Sequence, residues 1–258
     1  MNKQAILIMA HNNELVLDKL IKELDSIYFD IYLHIDKKSY LNIEEYTNIT
    51  KISKIYVYKE IDVVWGDYSQ VECELFLIKE ALKNNYEYLH LLSGSDMLLK
   101  TPKYIYEYFH NSNKEYIHFQ DREVPSNKLE WINNKTDFKL MTGANWFSIT
   151  NEFAKYLITK EELISNIFKG SRSPDEFFIQ TIIYNSKYKD NLYNKDYNNN
   201  YDSIKRLIDW DRGIPYVWRV SDYEELINSD MFFVRKINQN DDYEIAKKLY
   251  DYIDNLKT

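Results

Sequence analysis

The stretch that decides the fold is AILIMAHNNELVLDKLIKEL at residues 5–24, in which one periodicity gives way to another. Residues 5–10 are continuously apolar, as expected of a strand that is buried on both faces. The apolar residues that follow recur at the three- and four-residue spacing of a helix: Val16, Leu17, Leu20, Ile21 and Leu24. A buried strand that leads directly into an amphipathic helix is typical of α/β folds.

The same alternation continues along the chain. Stretches rich in apolar and aromatic residues predict further strands at 29–35, 54–58, 88–92, 115–119 and 143–149. Helical spacing and helix-start residues predict helices from Ser69, from Thr101-Pro102, at 151–157, at 174–184 and at 243–256. The last of these helices is expected to pack through Ile245, Leu249, Ile253 and Leu256. Polar stretches at 120–141, which contains Trp131, and at 187–201 are predicted loops. We therefore expect an α/β fold with a mostly parallel central sheet and helices on both faces.

Composition narrows the class of protein. The 258 residues are 45% apolar and 29% charged, with five Gly and four Pro, so the chain is expected to fold. The net charge of −8, without any long basic stripe, disfavours nucleic acid as a partner. Cys73 is a lone cysteine, and the apolar run at 5–10 is too short for a signal peptide or a membrane span. These features predict a cytoplasmic protein and leave peripheral attachment to the inner face of a membrane open.

Four successive predicted strands end in polar clusters: His11-Asn12-Asn13, Asp36-Lys37-Lys38-Ser39, Trp65-Gly66-Asp67-Tyr68 and Ser93-Gly94-Ser95-Asp96. The carboxyl ends of parallel strands meet at one edge of a sheet, where ligands bind in open α/β folds. The clusters therefore predict a cleft. The competing interpretation is that strand ends need turn residues in any case.

The sequence lacks the motifs of several common classes of enzyme and metal site. Neither GxxxxGK[ST] nor GxGxxG occurs, the five histidines lack zinc spacing, and no GxSxG elbow is present. His34, His90 and His118 are predicted to be histidines of the core. Asp209-Trp210-Asp211 resembles a cation-binding Asp-x-Asp pair but lies too late in the chain, and after the fourth strand Asp96 is a single carboxylate. If a diphosphate binds, Arg235 and Lys236 could balance its charge, although a solvated Arg-Lys pair is equally ordinary.

Two tetrapeptides have the spacing of a capping box, in which a hydroxyl and a carboxylate satisfy backbone donors of the first helical turn. They are Ser69-Gln-Val-Glu72 and Ser173-Pro-Asp-Glu176. The second has a functional interpretation as well, because Glu176 in a cleft could act as a general base. The residues alone leave both interpretations open.

The motifs taken together resemble the core-2/I-branching β-1,6-N-acetylglucosaminyltransferase family, which also includes peptide O-xylosyltransferases. The matching stretches keep the family's order and approximate spacing: AILIMAHNN, HIDKKS, VVWGDYSQVECEL, YLHLLSGSDMLLKT, GANWFSIT, SPDEFFIQT, RLIDW and FFVRKI. The resemblance implies a glycosyltransferase A-type fold over residues 1–258 as one domain. A nucleotide-sugar half at about 1–100 and an acceptor-binding and catalytic half at about 101–258 are implied with it.

The resemblance also implies roles for individual residues. Glu176 matches the catalytic base. The uridine-diphosphate (UDP) sugar donor is expected to contact His11, Asp36, Trp65, Asp96, Arg235 and Lys236. The acceptor sugar is expected to contact Asn145, Trp146, Asp209 and Trp210. Family members lack the metal-binding Asp-x-Asp, so no metal and no other cofactor is expected.

The expected reaction is inverting transfer of a sugar, foremost N-acetylglucosamine, from a UDP-sugar to a hydroxyl of a glycan acceptor. Two alternatives stay open at this point. A xylosyl- or galactosyltransferase would share the fold, because the size of the pocket sets the donor sugar. A non-catalytic sugar-binding protein could use the abundant aromatic side chains, 16% of the chain, as stacking surfaces. The sequence assigns neither the linkage nor the oligomeric state.

Overall fold

The computed structural model describes residues 2–121 and 134–257. Most of the predicted loop at 120–141, including Trp131, lies outside these described residues. The chain divides into two compact units, each drawn from separate stretches of sequence. The first unit contains residues up to 60, 92–112 and those from 205 onward, and the second contains 61–91 and 113–204.

The described residues contain nine strands. They are β1 (Gln4–Ala10), β2 (Phe29–Ile35), β3 (Ile55–Tyr58), β4 (Tyr88–Ser93), β5 (Asp96–Leu98), β6 (Tyr116–Ile117), β7 (Phe147–Thr150), β8 (Arg206–Ile208) and β9 (Phe233–Arg235). The strands predicted from long apolar runs are confirmed, with ends that shift by up to four residues. The three-residue strands β5, β8 and β9 were not predicted, because three residues are too few to display an alternating pattern.

The described residues contain nine helices. They are α1 (Glu14–Leu24), α2 (Ile43–Tyr46), α3 (Tyr68–Ala81), α4 (Pro102–Phe109), α5 (Asn151–Thr159), α6 (Glu161–Phe168), α7 (Phe178–Tyr184), α8 (Tyr223–Ile227) and α9 (Gln239–Lys257). Of these, α2, α6 and α8 were not predicted. Pro174–Glu176 forms a single 3-10 turn that precedes α7. None of the described helices is long and apolar enough to cross a membrane.

The first unit is built on parallel strands in the order β3-β2-β1. All seven residues of β2 are buried, including the polar Asp30 and His34 that stand among its apolar residues. Just beyond β4, the amide of Gly94 donates to the carbonyl of Met9 at 3.0 Å, and both residues belong to this unit. A second, small sheet has the order β5-β9-β8, with β9 antiparallel to β5 and parallel to β8.

In the second unit, β7 runs antiparallel to both β4 and β6. His90 of β4 lies opposite Ser148 of β7, and the ring Nδ1 and the hydroxyl are 2.8 Å apart. His34, His90 and His118 are all buried, as predicted for core histidines. The mixed α/β fold with a mostly parallel central sheet is confirmed.

The two predicted capping boxes are wrong, whereas the helix start predicted at Thr101-Pro102 is confirmed. Asp67 rather than Ser69 is the N-cap of α3, because its carboxylate accepts from the amide of Ser69 at 3.0 Å. Ser173 has the left-handed φ of 52° and makes no side-chain cap, so it forms no capping box with Glu176. Thr101 does cap α4, accepting from the amide of Tyr104 at 3.3 Å.

The packed side of the last helix was predicted correctly apart from its final residue. Ile245, Leu249 and Ile253 of α9 are buried, whereas Leu256 is 53% exposed. Leu256 lies one residue before the end of the helix at Lys257. The side chain there extends beyond the surface that the preceding turns cover.

Candidate functional site

In the first unit, Asp96 and Arg235 face each other across the antiparallel pair of β5 and β9. Nη1 of Arg235 donates to Oδ1 of Asp96 at 3.1 Å and also to the hydroxyl of Ser93. Oδ2 of Asp96 accepts from the amide of Ser93 at 2.7 Å, and the residue is only 2% exposed. The carboxylate of Asp96 therefore orients the guanidinium, a charge-assisted contact that is stronger than a neutral hydrogen bond.

The loops that follow β1 and β2 place His11 beside Asp36. The amide of Asp36 donates to the carbonyl of Ala10 at 2.8 Å, and the hydroxyl of Ser39 donates to the carbonyl of His11 at 2.7 Å. Asp36 is buried, and its carboxylate accepts from the amide of Lys38 at 2.9 Å and from the ammonium of Lys38 at 3.2 Å. These bonds hold the two loops together at the carboxyl ends of their strands.

Electrostatics connect the two clusters of the first unit. Burial lowers the pKa of the His11 imidazole, and the charges of Lys236, Arg235 and Lys38 lower it further against the opposing effect of Asp36. Burial and the adjacent Arg235 charge likewise lower the pKa of the Lys236 ammonium. Each of these positive charges lowers the pKa of its neighbours, and a bound anion would stabilise their charged forms. This end of the first unit is therefore suited to bind an anion.

Asn13 is a site residue that the sequence analysis did not single out. Its side-chain amide donates to the carbonyls of Gly94 at 3.1 Å and Ile237 at 2.9 Å and to the hydroxyl of Ser95 at 3.2 Å. Its Oδ1 accepts from the amide of Gln239 at 2.8 Å. Asn13 adopts the left-handed φ of 69°, which Asn tolerates better than most residues. It thus ties the loop after β1 to the loop after β4 and to the segment after β9. The only signal in the sequence was its position behind a strand.

Asp209 and Trp210 also belong to the first unit, directly after β8. Oδ1 of Asp209 accepts from the amides of Asp211 at 2.8 Å and Arg212 at 2.9 Å, and Oδ2 accepts from Nε of Arg212. These bonds lower the pKa of the Asp209 carboxyl against the effect of burial. Trp210 is about half exposed. The carboxylate of Asp209 is thus engaged with its own turn.

Arg212 links this turn to the cationic pair through Trp218. Its guanidinium lies 4.8 Å from the centroid of the Trp218 ring and 4.4 Å from that of Tyr216. The indole of Trp218 donates to the carbonyl of Arg235 at 2.8 Å, and its amide donates to the carbonyl of Lys236 at 3.0 Å. The buried Trp218 therefore holds the backbone from which both cations project. Arg212 and Trp218 were not predicted to belong to the site.

In the second unit, the loop that carries Trp65 is bonded to the turn that precedes Glu176. The carbonyl of Gly66 accepts from the amide of Ser173 at 2.7 Å. The side-chain amide of Gln70 donates to Oδ2 of Asp175 at 3.2 Å, and its oxygen accepts from the amide of Gly66. Trp65 itself is 80% exposed. A large apolar ring in this position offers a surface on which a ligand can stack.

The segment Gly143-Ala-Asn-Trp146 is also bonded to the turn that carries Glu176. The amide of Gly143 donates to the carbonyl of Glu176 at 3.0 Å. A Cβ at Gly143 would lie 2.0 Å from the carbonyl oxygen of His118, so the backbones approach too closely for any side chain. Nδ1 of His118 accepts from the amide of Ala144 at 2.8 Å, and the side-chain amide of Gln180 donates to the carbonyl of Ala144 at 2.8 Å. Asn145 and Trp146 follow, and the indole of Trp146 is largely buried.

The structure therefore gathers the predicted residues into two groups, one in each unit. His11, Asp36, Asp96, Arg235 and Lys236 form the first group, and the first unit also holds Asp209 and Trp210. The second group consists of Trp65, Asn145, Trp146 and Glu176, whose loops are bonded to one another. Within the described ranges, no three side chains of His, Cys, Asp or Glu come together as a cation site would require.

The sequence model of the Core-2/I-branching enzyme family matches residues 5–232, which is most of the chain. The chain belongs to the Core-2/I-branching enzyme family. The predicted family is thus confirmed, and with it a glycosyltransferase family domain. The roles predicted for individual residues of this Core-2/I-branching enzyme, its donor sugar and its independence of metals stay predictions.

Individual relatives of this Core-2/I-branching enzyme are distant. Xylosyltransferase sqv-6 of Caenorhabditis briggsae is 23% identical over 276 residues, which cover 86% of the chain but only 33% of that protein. The chain thus spans about a third of the length of this curated relative. Among solved structures, mouse xyloside xylosyltransferase 1 in its apo form is 10% identical with a TM-score of 0.43, covering 91% of the chain and 97% of its own. The glycosyltransferase GlyE of Streptococcus pneumoniae TIGR4, also in its apo form, is 11% identical with a TM-score of 0.39, covering 74% and 44%.

Proposed function

We propose that the chain is an inverting glycosyltransferase with a glycosyltransferase A-type fold that moves a sugar, foremost N-acetylglucosamine, from a UDP-sugar to a hydroxyl of a glycan acceptor. The observation that carries the proposal is the cationic pair of the first unit. Arg235 is held by Asp96 at 3.1 Å next to Lys236, whose pKa is lowered by burial and by the Arg235 charge. Such a pair is suited to a diphosphate that gains negative charge as it leaves.

The donor would bind at the strand ends of the first unit. In this proposal Asp36 contacts the uridine together with the backbone of Ala10 and His11, and the diphosphate lies against Arg235 and Lys236. The surroundings of His11 support this arrangement, because the charges of Lys236, Arg235 and Lys38 add to burial in lowering the pKa of its imidazole. A bound diphosphate would neutralise these charges, and no divalent cation would be needed for that task.

Glu176 would act as the general base. The oxygen of the acceptor hydroxyl attacks the anomeric carbon while the bond from that carbon to the diphosphate oxygen breaks. The hydroxyl proton passes to the Glu176 carboxylate, and the bonding electrons leave with the UDP. A base in this role must come within roughly 2.6–3.2 Å of the hydroxyl oxygen and contributes on the order of 100- to 10,000-fold to the rate. Glu176 is partly exposed, and both neighbouring segments carry predicted sugar-contacting residues, Trp65 and Asn145.

A xylosyl donor is the second candidate. It is favoured by the curated relative named a xylosyltransferase, which aligns over 86% of the chain. Both candidates use the same diphosphate site and the same base, and they differ only in the pocket for the sugar ring. The acceptor is a glycan in the first candidate and is not specified by the second.

Binding and hydrolysis of UDP-sugars test the proposal. The purified chain is expected to be stabilised by UDP in a thermal-shift measurement and to hydrolyse one UDP-sugar of a panel faster than the rest. Preference for UDP-N-acetylglucosamine supports the first candidate, and preference for UDP-xylose supports the second. Binding of free glycans without any response to UDP or to UDP-sugars would contradict both and would indicate a sugar-binding protein.

A further inference from the structure

Glu74 is a buried carboxyl group that the proposed reaction does not use. It lies on α3, one helical turn after Gln70, and its exposed fraction is 0%. Neither of its side-chain oxygens accepts a hydrogen bond from the described residues. An ionised carboxylate without hydrogen-bond donors is costly in an apolar interior. Such a group therefore keeps its proton, and the protonated carboxyl group can donate a hydrogen bond to a nearby acceptor.

The acceptor available to Glu74 is Asp175. Residues four apart on a helix lie on the same face, so Gln70 and Glu74 both face the Pro174–Glu176 turn that packs against α3. Gln70 donates to Oδ2 of Asp175 at 3.2 Å, and Asp175 is itself buried. Burial, together with the charge of Asp175, raises the pKa of the Glu74 carboxyl well above its ordinary value.

Helices α5 and α6 also contact α3. On α6, the carboxylate of Glu161 pairs with the ammonium of Lys79 near the end of α3, and both side chains are partly exposed. On α5, the ionisable side chains Glu152 and Lys155 are both exposed. Among the described residues, the titratable group whose charge acts on Glu74 is therefore Asp175. Asp175 immediately precedes Glu176 in the chain, so whatever holds its carboxyl group also constrains the proposed base.

We propose that Glu74 is a neutral carboxylic acid that shares its proton with Asp175, and that this acid pair is a positioning element for the turn that carries Glu176. The part that concerns catalysis rests on the proposed function. One proton between two carboxyl groups leaves a net charge of −1. The O–H of Glu74 donates to the Asp175 carboxylate, while Gln70 donates to the other oxygen of Asp175. When the proton is lost to hydroxide at high pH, the net charge becomes −2 and the two groups repel each other.

The acid pair can be measured without any activity. The difference between the infrared spectra of the wild type and Glu74→Gln at pH 7 should contain the band of one protonated carboxylic acid, in addition to the bands that Glu23 and Glu115 contribute to both proteins. Urea denaturation should show wild-type stability falling as the pH rises above the ordinary range of a glutamate, because the unfolded chain releases this proton and the folded chain retains it. The proton of Glu74 alone increases the unfolding equilibrium constant of the wild type by about tenfold per pH unit over that range. Glu74→Gln should lack this tenfold increase. A difference spectrum without the band, together with parallel pH dependences of the two proteins, would overturn the shared proton.

Kinetics test the positioning role. The amide of Glu74→Gln can donate to Asp175 permanently, so this variant should keep wild-type turnover and lose the decline of kcat at alkaline pH. Glu74→Ala removes the donor, and its kcat should fall roughly 10- to 100-fold with little change in KM for the UDP-sugar. Glu115→Gln is the matched control. Glu115 is another buried acid of the second unit, with a pKa raised to about 7, but its oxygens accept from Thr150 at 2.6 and 2.8 Å.

The outcomes separate the two proposals. Loss of turnover in Glu74→Ala with an unchanged kcat profile in Glu115→Gln supports the positioning role. Wild-type kcat and an unchanged pH profile in Glu74→Ala would overturn it, even if the infrared and unfolding measurements confirm the shared proton. If Glu176→Gln is fully active, the proposed base is wrong, whereas the physical evidence for the acid pair is unaffected.

Discussion

Asp96 and Arg235 are partners across an antiparallel strand pair, and Nη1 of the arginine lies 3.1 Å from Oδ1 of the aspartate. The single carboxylate that follows β4 is thereby committed to a cation of the protein. In enzymes with an Asp-x-Asp pair, the corresponding carboxylates hold a divalent metal. The contact suggests how this chain would present positive charge to a diphosphate, with Arg235 oriented by Asp96 and its backbone held by Trp218.

Asp96→Asn should weaken UDP binding. The substitution keeps the shape of the side chain but removes the charge that orients Arg235, so we expect an increase in Kd of about tenfold, measured by titration calorimetry. Asp18→Asn is the control, because Asp18 pairs with Lys22 on the exposed face of α1 in the same unit. If both variants bind UDP as tightly as the wild type, Asp96 does not act on the diphosphate site.

Asn13→Asp should destabilise the first unit. The carboxylate is nearly isosteric with the amide but cannot donate, so the carbonyls of Gly94 and Ile237 lose their side-chain donor. Leaving a buried polar group unsatisfied costs about 1–3 kcal/mol, and two such groups are affected. The free energy of unfolding should therefore fall by an amount in that range or above it. Asn12→Asp, at the exposed neighbouring position, should leave it nearly unchanged.

Glu176→Gln should abolish most of the turnover without changing the fold. The backbone carbonyl of Glu176 accepts from Gly143, and this bond is independent of the side chain. We therefore expect kcat to fall on the order of 100- to 10,000-fold with an unchanged melting temperature. Glu72→Gln, at an exposed position of α3, should keep full activity. A Glu176→Gln enzyme with wild-type kcat would show that another group accepts the proton.

A chelator should leave the rate unchanged. The charge of the leaving diphosphate is assigned here to Arg235 and Lys236, so an excess of EDTA in the assay should not slow transfer, and added Mn²⁺ should not accelerate it. Inactivation by the chelator that manganese reverses would contradict this assignment, whatever the effect of Asp96→Asn.

The sequence predicted the fold wherever a run was long enough to show its period. The seven-residue strand β2 was predicted with its observed ends, because five of its seven residues are apolar or aromatic. The two wrong capping boxes have local causes. The spacing of Ser69 and Glu72 suggested a capping box, but the carboxylate of Asp67 caps the same helix two residues earlier. Ser173 could not cap because its backbone is left-handed.

The sequence identified residues of the candidate site but not which of them contact each other. Asp96 and Arg235 were both singled out, yet 139 positions separate them, and only the register of β5 with β9 pairs them. Trp218 was overlooked because it acts through backbone carbonyls, which no pattern of side chains reveals. Asn13 belonged to a predicted cluster but was given no role, because most of its partners are groups of the backbone. Residues that hold a site together by bonding the backbone leave little trace in a single sequence.

Glu23 should contribute stability that is lost as the pH rises. This residue of α1 is fully buried, which raises the pKa of its carboxyl group to about 8 despite a hydrogen bond from the amide of Leu98 at 3.1 Å. The unfolded chain releases this proton near the ordinary glutamate pKa of about 4.3, whereas the folded chain retains it until about pH 8. The contribution is therefore fully present at low pH and is lost as the pH rises through that window, at about 1.4 kcal/mol per pH unit for one proton.

Glu23→Gln should remove this part of the slope in urea denaturation measured from pH 4 to pH 9. Glu14→Gln provides a control of opposite sign, because hydrogen bonds from Tyr40 and Gln239 lower the pKa of the Glu14 carboxyl. The contribution of Glu14 is present at neutral pH and is lost as the pH falls through its lowered pKa, so its removal should matter at pH 7 and vanish in acid. If Glu23→Gln has the same slope as the wild type, the buried carboxyl does not retain its proton, and an ionised Glu23 must instead be paired with a cation such as Lys257, whose ammonium donates to the backbone carbonyl of Glu23 at 2.9 Å.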